Sequence, residues 1–150
     1  MSRDALLVTH TGRWDMVDRA REVSDLLLSA GFQVRMLEEE AADLGVTDVK
    51  AVSPDESAAA GCEVVLVLGG DGTFLRAAEL ARPARAALLG VNLGRVGFLT
   101  ETEPEALPDT VRHIVERSYR VEERLTLDVD VTVGERVVAR DWALNEASVE

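Results

Sequence analysis

Two spacings of apolar residues alternate through the first 120 residues of the chain. Short runs predict strands at Ala5–Val8, at the alternating set Phe32, Val34 and Met36, at Glu63–Leu68 and at Ala86–Val91. Between them, apolar residues recur at three- and four-residue steps. Val17, Ala20, Val23, Leu27 and Ala30 make one helical face over residues 14–30, with Gly31 placed to stop it. Phe74, Leu75, Ala78 and Leu80 predict a helix over Thr73–Ala81 that ends near Pro83. Leu107, Val111, Ile114 and Val115 predict another, with Thr102 and Glu105 at capping-box spacing before it and Pro108 kinking or restarting it. Residues 38–57 are acidic and irregular, and read as loop and weak helix.

Near residue 120 the period becomes two. Leu125, Leu127, Val129, Val131 and Val133 alternate with polar residues, Gly134-Glu135 is a two-residue hairpin turn, and Arg136–Leu144 leads back. The predicted class is therefore α/β: a Rossmann-like parallel sheet with helices on both faces over residues 1–120, then the first hairpin of an antiparallel β domain over 121–150. A hairpin alone is marginal in water. The chain is thus expected to be a fragment, or to have its second sheet completed by a partner.

Composition narrows the partners. Hydrophobic residues make up 47% of the 150 but aromatic ones only 4%, so the core must be aliphatic. The net charge of −12 opposes binding to nucleic acid or to an anionic membrane. An anionic ligand would need local positive charge from arginine, backbone N–H groups or a divalent cation. Lys50 is the only lysine, and arginine suits phosphate bidentately. Cys62 is the single cysteine and is expected to be a small buried residue. With no disulfide framework, zinc spacing, signal core or membrane-length apolar run, a cytoplasmic protein is expected.

The most informative segment is Val64-Val-Leu-Val-Leu-Gly-Gly-Asp-Gly-Thr-Phe-Leu75. A β-branched run stops on three glycines that enclose one acid, and a helical spacing follows. Strand, glycine turn and helix start collect phosphate, because backbone N–H groups and the positive helix end point at one spot. A bare phosphate cradle has no use for Asp71. A phosphoryl-transfer site does, since a carboxylate can orient a hydroxyl or hold a metal beside the phosphates. The blander reading is an Asp-Gly pair that only shapes a turn. Neither common nucleotide motif fits: there is no G-x-x-x-x-G-K-[ST], and Leu75 stands where G-x-G-x-x-G needs its last glycine.

Three segments, Gly69-Gly-Asp-Gly-Thr73, Asn92-Leu-Gly-Arg-Val-Gly-Phe-Leu-Thr100 and Ala143-Leu-Asn-Glu146, together closely resemble the NAD kinases over the whole chain. The first is shared with phosphofructokinase-like and diacylglycerol-kinase-like enzymes; the second and third, in this order, are more specific. The resemblance implies phosphorylation of the adenosine-ribose 2′-hydroxyl of NAD by ATP to give NADP and ADP, with a divalent cation, magnesium in most members. It also implies homo-oligomers and a site between an α/β and a larger β domain. It matches Asp71 to the proton acceptor, with Gly72 beside it in the dinucleotide site, and Arg76 to a contact just inside the helix. Asn145 and Glu146 match the pair that grips the dinucleotide, Phe98 an aromatic near the adenine, and Gly69, Gly70 and Thr73 the phosphate turn. The family's second glycine- and threonine-rich loop lies further downstream and has no counterpart within these 150 residues, so the chain alone is expected to be inactive.

Blander readings stand beside these. Arg76 is either a diphosphate contact or a solvated helix arginine, Arg95 a phosphate contact or a loop brace, and Phe98 a stacking platform or a core residue. Asn145-Glu146 in isolation is a turn. His113 reads as solvated, and His10 follows the first strand. Related kinases acting on a lipid or sugar hydroxyl, or a non-catalytic nucleotide-binding or oligomerisation module, are the competing functions. The donor, ATP or polyphosphate, is left open.

Overall fold

In a computed structural model, residues 2–10, 14–91, 107–144 and 147 are described, and the side chains of residues 14 and 15 are not. The loop Asn92–Thr100, with Arg95 and Phe98, lies outside the described residues, as do Thr102, Glu105, Asn145 and Glu146. The chain divides into two compact units, Met1–Tyr119 and Arg120–Glu150.

The first unit runs β1 (Arg3–Thr9), α1 (Trp14–Ser29), β2 (Phe32–Leu37), α2 (Glu38–Leu44), β3 (Lys50–Val52), β4 (Val64–Leu68), α3 (Asp71–Ala84), β5 (Ala87–Val91) and α4 (Leu107–Glu116). Its five strands are all parallel, in the order β3-β2-β1-β4-β5. Ala5–Val8 and Val65–Leu68 are fully buried. Burial on both faces is why these strands read as unbroken apolar runs rather than alternating ones. One face of the sheet, through Ala5, Leu7, Val34, Met36, Val64, Leu66 and Leu68, packs on α1, α2 and α4. The alternate residues Leu6, Val8, Val65 and Val67 belong to the other face, where α3 lies against β1, β4 and β5. Opposite faces follow from handedness: β1→β2 and β4→β5 step in opposite directions across the sheet, and right-handed crossovers then put their helices on opposite sides.

Two expectations need correction. Residues 50–52, read as loop, form the edge strand β3, in register with β2 through Arg35↔Lys50, Met36↔Ala51 and Leu37↔Val52. Three residues are too few to show a period of their own; β2 supplies the pairing. The helix after the glycine turn begins at Asp71, two residues before Thr73, and runs through Pro83 to Ala84. Pro83 forfeits only one N–H in the last turn, and Arg85, at φ 53°, closes the helix by donating to the Ala81 and Arg82 carbonyls. Pro108 falls in the first turn of the described part of α4, where its ring removes no helical hydrogen bond within that part.

The second unit is the antiparallel hairpin β6 (Leu127–Val133) and β7 (Arg136–Ala143). Gly134, at φ 63°, stands first in the two-residue turn, as a II′ connection requires. The register shifts by one residue between Val131 and Thr132. Val131, Val133 and Val138 are more than half exposed, so among the described residues of this unit no core covers them.

Candidate functional site

The strand order reverses direction at β1 and β4. From β1 the chain moves outward to β2 and β3; from β4 it moves the other way, to β5. The connections leaving the carboxyl ends of β1 and β4 therefore diverge, and a crevice opens between them. Open α/β sheets bind ligands at this switch point. Thr9 and His10 end β1 there, and Gly69, Gly70 and Asp71 follow β4. The rim is held shut below by backbone bonds: the His10 N–H donates to the Leu68 carbonyl at 3.1 Å, and the Gly69 N–H to the Val91 carbonyl at 3.1 Å.

The glycine turn divides into a structural and an open part. Gly69 is buried, and a Cβ built on it would lie 2.8 Å from Thr73 Oγ1 and 2.9 Å from Thr73 Cβ. It must be glycine so that β4 can pass under the first turn of α3. At Gly70 and Gly72 an added Cβ would meet nothing within 4 Å. Packing does not demand glycine at these two exposed positions, which leaves the backbone itself bare toward the crevice. Gly70 is the N-cap of α3, extended, and without a side-chain capping bond. The N-cap residue therefore offers no side chain to the first-turn N–H groups of this 14-residue helix.

Asp71 opens α3 and is half-buried. An acid in the first turn is favoured by the helix dipole. Arg76 lies one turn further and is half-exposed. It is not a freely solvated helix arginine: its Nη1 is 3.4 Å from Oε1 of Glu40. Glu40 is the residue that sequence reading missed. It sits on α2, with its side chain only 3% exposed, and its other oxygen, Oε2, accepts from the Thr9 N–H at 3.4 Å. The pair spans the carboxyl rim of the sheet, joining helices of opposite faces. Glu40 sat unnoticed inside the acidic run Glu38-Glu-Glu40, where nothing local separates it from its exposed neighbours.

Burial raises the Glu40 carboxyl from the ordinary glutamate value to about 7. Arg76 and the Thr9 N–H pull the other way, while Asp43 and Glu39 add to the rise. Both polar contacts are long, so they offset the loss of water only in part. Elsewhere the expectations are simple. Cys62 is buried and unpaired, and burial raises its thiol. His113 is exposed, its Nδ1 2.7 Å from Ser118 Oγ. Of the nine predicted site residues, the rim gathers Gly69, Gly70, Asp71, Gly72, Thr73 and Arg76; Phe98, Asn145 and Glu146 lie outside the described residues.

Comparison with known proteins matches this sequence to a class of kinases. The family model of the ATP-NAD kinase N-terminal domain matches residues 5–119. The chain is 51% identical over 160 residues to an NAD kinase of Mycobacterium leprae, covering 99% of this chain and 51% of that protein. It is 54% identical over 158 residues to one of Thermobifida fusca, covering 99% and 48%. A crystal structure of yeast NADH kinase complexed with NADH superposes with a TM-score of 0.78 at 13% identity, covering 96% of this chain and 47% of that one. The chain therefore belongs to the ATP-NAD kinase family. It spans about half the length of the curated relatives it matches.

Two substitutions separate the roles of the glycines. Gly69→Ala is expected to destabilise the fold by about 1–3 kcal/mol through overpacking against Thr73. Gly72→Ala is expected to leave stability unchanged or to raise it by up to about 1 kcal/mol. Denaturant unfolding of both variants checks this. A second prediction concerns Glu40. Its raised value means the folded state holds a proton that the unfolded state releases, so its contribution to stability is complete below about pH 4.5 and is lost as pH rises through about 7. Relative to Glu40→Gln, the unsubstituted protein should lose on the order of 3 kcal/mol between those limits. The difference in Tm between the two, followed against pH, measures it.

Proposed function

We propose that the protein carrying this chain is an NAD kinase, transferring the γ-phosphoryl group of ATP to the 2′-hydroxyl of the adenosine ribose of NAD. The observation that carries the reading is Asp71 at the first turn of α3, on the switch-point rim of a chain belonging to the ATP-NAD kinase family. The ribose oxygen attacks the γ-phosphorus in line, the bond to the bridging oxygen of ADP breaks, and the hydroxyl proton passes to the Asp71 carboxylate. A carboxylate is a weak base toward an alcohol, so Asp71 chiefly orients the hydroxyl and accepts its proton late. The bare backbone at Gly70 and Gly72 lets the dinucleotide approach closely. Thr73 completes the turn, and Arg76 neutralises the diphosphate. Phe98, Asn145 and Glu146 complete the proposed dinucleotide site on the strength of the family resemblance.

The same reading includes a divalent cation, magnesium, which would neutralise phosphate charge when bound with the nucleotide. Among the described residues no three His, Cys, Asp or Glu side chains converge as a cage for such an ion, so no step is assigned to it. No helix among the described residues is long and apolar enough to cross a membrane. A homo-oligomer in the cytoplasm, with ATP or polyphosphate as donor, is the wider form of the proposal.

In the full-length protein, Asp71→Asn should lower NADP formation by at least about 10²-fold with unchanged thermal unfolding. Near-normal turnover of that variant excludes the role, and label transferred from ATP to a lipid or sugar instead of NAD excludes the substrate. The 150-residue chain by itself should bind NAD weakly and form no measurable NADP, because the resemblance puts a further nucleotide loop downstream. Robust NADP synthesis by it would contradict this.

A further inference from the structure

Glu40 is costly to the fold and is used by nothing described so far. A carboxyl side chain 3% exposed, holding two contacts of 3.4 Å, is a poor structural device. Short bonds or an apolar residue would stabilise the same place better. Its position explains it. From α2 on one face of the sheet it reaches the end of β1 and the guanidinium of Arg76, which comes from α3 on the other face. Arg76 remains half-exposed, so its guanidinium is accessible to a ligand while it is paired with Glu40.

We propose that Glu40 is a positioning residue for the phosphate-binding arginine: it holds Arg76 across the rim and takes up a proton when the diphosphate of a dinucleotide engages that guanidinium. The inference rests on the nucleotide reading given above. An arriving diphosphate shares Arg76 with Glu40 and places negative charge near it, and both changes disfavour the ionised carboxyl. The groups facing Glu40 are Arg76 from α3, the Thr9 N–H from β1, and Asp43 and Glu39 from its own helix. Among the described residues acting on this carboxyl, Arg76 is the one cation, so sharing it with the ligand weakens the attraction that holds Glu40 ionised. The carboxyl of the free protein already titrates at about 7, so a modest further rise changes its protonation under ordinary conditions. As a neutral acid, Glu40 still accepts from Arg76 or Thr9 through its carbonyl oxygen, so the arginine stays placed after the proton arrives.

The test is calorimetric titration of the full-length protein with NAD, in buffers of different ionisation enthalpy. The diphosphate of NAD is a diester whose charge does not change near neutral pH, so proton exchange reports the protein. Binding at about pH 7.5 should take up roughly half a proton, and affinity should fall about three- to tenfold between about pH 6.5 and 8.5. Glu40→Gln should bind within about threefold of the unsubstituted protein at the lower pH and lose both the proton uptake and the pH dependence. Glu40→Ala, which leaves Arg76 unanchored, should bind at least about tenfold more weakly at both values. If the alanine variant does not fold, the glutamine variant decides alone. NAD binding with no net proton uptake, or uptake unchanged in Glu40→Gln, overturns the inference while leaving the nucleotide reading intact. Absence of NAD binding in the unsubstituted protein overturns that reading, and this inference with it.

Discussion

The parallel pairing of β1 with β4 is the constraint on which the first unit depends. Ala5↔Val64 through Thr9↔Leu68 are in register, and nearly every side chain along both strands is inaccessible to water. Two strands buried on both faces need helices above and below. The chain supplies them by stepping one way from β1 and the other way from β4. That divergence forces an opening at the carboxyl ends. The glycine turn, Asp71 and the start of α3 stand on that opening because they are the first residues after β4.

Charge poses the second constraint. On the proposed reading, a chain of net charge −12 has to bind an anion against its own field. The positive end of α3 and the half-exposed guanidinium of Arg76 are the local positive charge that the rim offers. Glu40 offsets part of that charge by pairing with Arg76. In the proposal, the balance between this acid and an incoming phosphate sets how firmly the arginine is held.

Sequence and structure divide their labour differently at different residues. The apolar runs of β1 and β4, the helical face of α1, the hairpin turn at Gly134 and the glycine turn between β4 and α3 all follow from local chemistry. Each depends on residues adjacent in the chain, through backbone sterics or a period of side chains. The glycines, identical in sequence terms, turn out to be unlike: Gly69 is required by contact with Thr73, while Gly70 and Gly72 face open space. That distinction depends on how the strand passes under the helix.

Apart from β3, the order of strands and helices and the acid at the heart of the turn were thus determined by the amino-acid sequence alone, because strand, turn and helix signals act over a few residues. Tertiary structure decided the rest. β3 exists because β2 offers it an edge, at a length where no period of its own could show. Glu40 and Arg76, 36 positions apart, meet only because parallel pairing brings the ends of β1, β2 and β4 to one rim. Which of three consecutive glutamates is buried beside an arginine is a property of packing, and desolvation, the largest force on that carboxyl, arises only when the sheet has closed around it.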